Sequence, residues 1–122
     1  MVAAQAIADG RSAMRALIAA HPDLTAIYCT TDTLAIGALC ECRTLGIRVP
    51  EDISVAGYSD LEIVSHLDPP LSTVHIPAEQ IGTYTADFLV DRIRGRTGPK
   101  TIELEAEIIV RRSTGPVRRV PL

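Results

Sequence analysis

The sequence predicts an α/β fold, a parallel sheet flanked by helices, on three observations. Leu45-Gly46-Ile47-Arg48-Val49-Pro50-Glu51-Asp52 stops a helix and turns directly into Ile53-Ser54-Val55-Ala56-Gly57-Tyr58, a short apolar run. A run of that length between turn residues is what a strand covered on both faces looks like. A second β-branched run, Thr25-Ala26-Ile27-Tyr28-Cys29, precedes the helix, so strand, helix and strand follow in the order of a parallel unit. Finally, 47% of the 122 residues are hydrophobic but only 3% aromatic, with no Trp, which implies one domain with an aliphatic core.

The elements are expected in this order. Gly10 to Ala20 reads as helix, with Ala13, Met14, Leu17 and Ile18 on one side, and His21-Pro22-Asp23 ends it. After the strand at Thr25–Cys29, Thr31 or Asp32 can cap a helix from Thr33 to Leu45, because free amides at a helix start need an oxygen acceptor. Leu34, Ala35, Ala38, Leu39, Cys42 and Leu45 give that helix a wide apolar stripe. Gly46 is its C-cap, since a residue without Cβ adopts the left-handed conformation cheaply. Pro50 forbids helix just before the second strand.

Ser59 to Leu67 forms a short helix or turn, and Asp68-Pro69-Pro70-Leu71 a rigid loop. Ser72-Thr73-Val74-His75-Ile76 alternates and reads as a strand. Pro77 sits in the first turn of a long helix to Arg94, where its missing N–H costs nothing. Ile81, Thr85, Phe88, Leu89 and Ile93 are its expected buried stripe. Two closing strands are expected, Thr101–Leu104 and Ile108–Arg112, before a frayed tail from Gly115 to Leu122.

Composition excludes some functions. A net charge of −3 argues against this stretch gripping nucleic acid by itself, since phosphate binding needs a basic footprint. Three cysteines, an odd number, make no disulfide framework and fit reduced thiols in a cytoplasmic protein. Met1–Ile7 lacks the basic start of a signal peptide and is followed by Asp9-Gly10-Arg11. There is no apolar run long enough for a membrane span.

Enzyme chemistry finds no foothold. His21, His66 and His75 stand far apart without metal-ligand partners and read as surface or loop histidines. Cys40 and Cys42 point to different helix faces and read as packing residues rather than a metal knuckle. Neither a nucleophile elbow nor a phosphate-binding glycine loop occurs, so no catalytic set, metal or cofactor is expected.

The informative polar residues follow the first two strands: Thr30, Thr31 and Asp32 after one, Tyr58, Ser59 and Asp60 after the other. In open parallel sheets ligands bind outside the carboxyl ends of the strands. Two neighbouring strands that each deliver a hydroxyl and a carboxylate make a plausible polyol site. Helix capping and turn chemistry explain Asp32 and Asp60 equally well.

Four motifs carry a family resemblance: Thr-Thr-Asp-Thr-Leu-Ala-Ile-Gly-Ala-Leu (30–39), the run 45–60, Asp-Pro-Pro-Leu-Ser-Thr-Val (68–74) and Val-Arg-Arg-Ser-Thr (110–114). In order and spacing they resemble the C-terminal part of the effector-sensing domain of LacI/GalR transcriptional regulators. The resemblance implies a Rossmann-like lobe of the periplasmic-binding-protein-like type I fold, incomplete here. It implies residues 1–76 as the C-terminal lobe, 77–105 as helix and strand docking on an N-terminal lobe, 106–114 as a returning strand and 115–122 as a tail. It also implies a regulator that binds operator DNA only through a helix-turn-helix outside this stretch, senses a small effector between two lobes, and forms a homodimer. An exported sugar-binding protein of the same fold is the alternative; the run 45–60 speaks for the regulator.

Carried over residue by residue, the effector contacts implied are Thr31, where the family often has Asn, and Ser59, where it often has Asp. Asp32, Tyr58 and Asp60 join them, with Gln5, Ile76, Ala78 and Ile81 as secondary walls. Serine in place of a buried aspartate removes a negative charge that would oppose an anionic ligand, so the effector expected is a sugar or a sugar acid such as gluconate. The dimer contacts implied are Ile36, Leu39, Cys40 and Arg43 on the helix 33–45, and the loop Ile63–Pro70 with Leu67. For Ile36 and Leu39 the intrachain core is the competing assignment.

Overall fold

The computed structural model describes residues 6–98 and 101–117. Among the described residues three α-helices and four strands follow the predicted order: α1 (Ile7–Ala20), β1 (Ala26–Tyr28), α2 (Asp32–Leu45), β2 (Ser54–Ala56), β3 (Thr73–His75), α3 (Ala78–Ile93) and β4 (Glu107–Ile109), with a 3₁₀ helix at Glu62–His66 between β2 and β3. β1 and β2 pair in parallel, Ile27 opposite Val55. β3 continues the sheet beyond β2 through parallel bridges at Ala56–Ser72 and Ser59–His75. β4 then closes antiparallel on β3, with His75 opposite Glu107.

α1 begins three residues before the expected Gly10, because the Asp9 carboxylate accepts the Ala6 N–H at 2.9 Å and stabilises an earlier first turn. α1 and α2 cross with backbone nearly touching backbone. A Cβ on Gly10 would run into the Leu34 carbonyl, and one on Gly37 into the Ile7 carbonyl. Close approach, not conformational freedom, therefore requires glycine at both positions. Gly46 does end α2 as the sequence predicts, at φ 70°, with its N–H reaching the Arg43 and Cys42 carbonyls.

The core lies between these helices and the sheet. Met14, Ala35, Ala38, Cys42, Val55, Val64 and Leu71 are all buried there, with Ile18, Leu34 and Ile27 packed around them. Burying each of the larger side chains contributes about 1.5–3 kcal/mol. Leu71 also donates its N–H to the Val64 carbonyl at 2.9 Å, which anchors the 3₁₀ helix. Burial raises the pKa values of the Cys29 and Cys42 thiols to about 11. Glu41 was not foreseen in this core: it is 1% exposed, and its two oxygens are taken by Arg11 (3.0 Å) and Arg15 (2.6 Å) from α1.

Two expectations for the second half of the chain are corrected. The stripe predicted to be buried on α3 is not buried here: no α3 residue is, and Ile93 is 85% exposed. The helix is amphipathic in sequence, but the described residues supply too little surface to cover it. Thr101–Leu104 is not a strand either; its residues face α3 across a groove shared with Ile81, Tyr84 and Phe88, while the strand partner of β3 comes from Glu107–Ile109.

Candidate functional site

The carboxyl ends of β1 and β2 lie side by side, as the parallel pairing requires. Thr31 is the N-cap of α2: its backbone is extended and its hydroxyl accepts the Leu34 N–H at 3.3 Å. This resolves the choice between Thr31 and Asp32, because the Asp32 carboxylate is used elsewhere.

Asp32 is fully buried, at 0% exposure. One oxygen accepts the Thr73 hydroxyl at 2.6 Å and the other the Leu61 N–H at 2.8 Å, while its own N–H donates to the Tyr58 carbonyl at 2.9 Å. Gly57 leaves the room it occupies, since a Cβ there would strike the carboxylate. Asp32 therefore ties together β1, the end of β2 and β3. With both oxygens occupied and no solvent contact in this chain, it braces the edge from behind.

Tyr58, Ser59 and Asp60 are half-buried at the end of β2. Ser59 has φ 127° and Asp60 φ 59°, a stretch of backbone that L side chains rarely adopt. The Ser59 N–H is held by the Val74 carbonyl at 3.0 Å, which fixes this turn against β3. The Asp60 carboxylate, 17% exposed, accepts the Arg111 guanidinium at 2.8 Å on one oxygen and pairs with His75 Nδ1 at 3.0 Å on the other. Burial pushes the Asp60 carboxyl upward, but the Arg111 and His75 contacts outweigh it and hold the group below the usual carboxylate range. Arg111 also donates to the Leu71 carbonyl at 2.9 Å. The β2 edge thus presents the Tyr58 and Ser59 hydroxyls, without a hydrogen-bond partner among the described residues, beside a carboxylate whose charge is already matched by arginine.

The returning segment is pinned deeply. Ser113 is fully buried; its hydroxyl donates to the Val55 carbonyl at 2.6 Å and accepts the Ser72 N–H at 2.7 Å. The Ser72 hydroxyl in turn accepts the Arg111 N–H at 2.8 Å. Thr73, Arg111 and Ser113 carry no individual signal for these contacts in the sequence, and neither does His75 for its contact with Asp60. The available signal was the motif 110–114, whose arginine and serine form these contacts. His75 is a surface histidine as expected, but one joined to Asp60.

Of the remaining predicted residues, Ile76 is half-buried between β3 and α3, and Ala78 and Ile81 lie exposed at the start of α3. Gln5 lies outside the described residues. Ile36, Leu39 and Leu67 are half-buried and pack against the chain's own core, whereas Cys40 and Arg43 are exposed. Arg43 donates to the Asp68 carbonyl at 3.3 Å, which joins α2 to the loop carrying Leu67. Among the described residues no group of three His, Cys, Asp or Glu side chains could hold a metal ion, and no helix is long and apolar enough to cross a membrane.

A parallel sheet with polar residues at its carboxyl edge and an antiparallel return strand defines a class: part of an α/β domain of the kind that binds ligands outside the carboxyl ends of its strands. Residues 1–114 match the periplasmic binding protein-like domain, and the chain belongs to that family. It is similar to the HTH-type transcriptional regulator CelR of Thermobifida fusca, 41% identical over 106 residues that make up 86% of this chain and 31% of the relative. It is also similar to the HTH-type transcriptional repressor PurR of Yersinia enterocolitica, 39% identical over 113 residues, 90% of this chain and 33% of the repressor. Among solved structures, the complex of the transcriptional regulator CelR with cellobiose superposes with a TM-score of 0.84 at 39% identity, covering 88% of this chain and 33% of that one. The chain therefore spans about a third of the length of the relatives it matches.

Proposed function

We propose that this chain is the effector-sensing and dimerising portion of a LacI-type transcriptional regulator, and that the effector is a sugar or sugar acid held at the carboxyl edge of β1 and β2. The single observation carrying this reading is the Tyr58-Ser59-Asp60 turn, where backbone at φ 127° and 59° places hydroxyls beside an already neutralised carboxylate. Backbone in sparsely populated regions persists where the surrounding contacts hold it, as Val74, His75 and Arg111 do here, and such residues cluster at ligand clamps, which supports this reading. The relative solved with cellobiose supports a carbohydrate. Arg111 beside Asp60, and serine rather than a carboxylate at position 59, support extending the class to acidic sugars.

Thr31, Tyr58 and Ser59 make the polar contacts in this proposal, Ile76 forms a wall, and Asp32 and Asp60 hold the edge in place. Gln5, Ala78 and Ile81 contribute further wall. Residues 1–76 act as one lobe, 77–105 dock on the other, and 106–114 return. Effector binding closes the lobes and shifts the population between two dimer arrangements. Ile36, Leu39, Cys40, Arg43 and Leu67 meet a second copy, and operator DNA is contacted by a helix-turn-helix of the full-length cytoplasmic regulator. No catalysis is involved.

Calorimetric titration of the full-length protein with cellobiose and with gluconate tests this reading. Saturable binding that weakens in Ser59→Ala and Thr31→Ala is the expected result. Saturable binding of neither, or binding indifferent to both substitutions, contradicts it.

A further inference from the structure

We infer that Asp60 is a latch on the two strands that join the body of this chain to its α3 half, and that His75 and Arg111 are the positioning residues through which it acts. This rests on the reading of the chain as part of a two-lobed sensor. α1, α2, β1 and β2 form a body with its own core, whereas no residue of α3 is buried. Within the described residues the chain leaves the body through β3, which runs into α3, and comes back through β4 to Arg111. These strands are paired with each other, His75 opposite Glu107.

Asp60 belongs to the body, at the end of β2, and grips both strands at once. One carboxylate oxygen holds His75 of the outgoing strand at 3.0 Å, and the other holds Arg111 of the returning strand at 2.8 Å. Closer to the body the same segments are fixed by two buried serines, Ser72 and the fully enclosed Ser113. Among the described residues Asp60 is the outermost polar tie, and half of His75 (48%) is open to solvent, so this tie can be made and broken without unfolding the core. Its neighbour Ser59 shares the left-handed stretch of backbone and the N–H contact to Val74 on β3. A ligand that shifts Ser59 must therefore turn the Asp60 carboxylate relative to both strands. The latch converts occupancy at the β2 edge into a change in the angle at which the α3 half leaves the body.

The full-length protein in a Cys40→Ser background, spin-labelled at Asp23→Cys and at a surface position of the opposing lobe, gives the distance distribution between lobes without any ligand. His75→Ala should lower the population of the main wild-type distance about threefold, since it removes one half-exposed tie, and Asp60→Asn by roughly tenfold, since it weakens both. His75→Asn, whose amide can replace Nδ1 as donor, should restore the wild-type distribution, which a loss of packing would not allow. Distributions for His75→Ala and Asp60→Asn that superimpose on wild type overturn the latch. Should Asp60→Asn fail to fold, the His75 pair decides alone. The readout needs no sugar, so it fails separately from the titration that tests effector binding.

Discussion

The Thr73 hydroxyl donates to the Asp32 carboxylate at 2.6 Å, joining two residues 41 positions apart in the buried centre of the strand edge. Removing one partner of a buried hydrogen bond costs the desolvation of the other, about 1–3 kcal/mol, more when the survivor is charged. Thr73→Val keeps the shape and strands the carboxylate oxygen. It should lower unfolding stability by about 2–3 kcal/mol, measured by urea denaturation of the full-length protein with the slope unchanged. A loss below about 0.5 kcal/mol would mean that Asp32 is not the brace described.

The crossing of α1 and α2 gives a second prediction. A methyl group at Gly10 or Gly37 collides with main-chain carbonyls, which cannot rotate away. Gly37→Ala should therefore destabilise by about 1–3 kcal/mol or more, despite alanine's better helix propensity. Gly46→Ala meets no neighbouring atom and pays only for its left-handed backbone, so it should cost about 1 kcal/mol. Equal losses in thermal melts would argue against helix contact as the cause.

Glu41 predicts a pH dependence. Hydrogen bonding to Arg15 is the largest influence on its carboxyl; burial opposes it, Arg11 adds to it, and the net effect holds the group below its ordinary value of 4.5. The unfolded chain therefore takes up this proton first as pH falls. The stabilisation from Glu41 is present above about pH 4.5 and is lost as pH falls through the lower folded value. Glu41→Gln should flatten the fall in stability between pH 5 and pH 3, measured by denaturant titration at each pH. A profile unchanged from wild type would assign that fall to other carboxylates, Asp60 first among them.

Much of this fold was legible because its elements carry local signals. The apolar run 53–58 and the β-branched run 25–29 encode strands, and Gly46 encodes a helix end in a single residue. The rigid loop at 68–71 was legible from Asp and Pro alone, and the segment 59–67 as a short helix or turn, of which the 3₁₀ helix Glu62–His66 is the form taken. Contacts that depend on chain-distant partners were not. Nothing near Asp32 reveals that Thr73 will satisfy it, and nothing near Asp60 reveals Arg111, 51 positions later. The stripe on α3 shows the opposite failure: periodicity reports that a face is apolar but not what covers it. Thr101–Leu104 reads as strand by composition and remains irregular because β3 has given its free edge to Glu107–Ile109.

Cysteine reactivity tests the proposed dimer face. Cys29 and Cys42 are buried with pKa values raised to about 11, so neither should react with a thiol reagent in the native protein. Cys40 is exposed on this chain and should react quickly when the full-length protein is dilute. If α2 meets a second copy, its labelling should slow as concentration rises through the dimerisation range. A rate independent of concentration, in a protein shown by sedimentation to dimerise, would move the interface away from Cys40.

The strained turn at Ser59 is where effector binding and stability meet. Glycine accepts φ 127° without a Cβ penalty, so Ser59→Gly should leave stability unchanged or raise it by up to about 1 kcal/mol. The same substitution removes the hydroxyl proposed to touch the effector. Calorimetric titration of full-length wild type, Ser59→Gly and Ser59→Asp with gluconate and cellobiose tests the account most directly. Saturable binding is expected in wild type, with a loss of about tenfold or more in Ser59→Gly and a loss of gluconate greater than that of cellobiose in Ser59→Asp. Binding of neutral sugars alone would contradict the acidic-sugar assignment, and binding unaffected by either substitution would contradict the site itself.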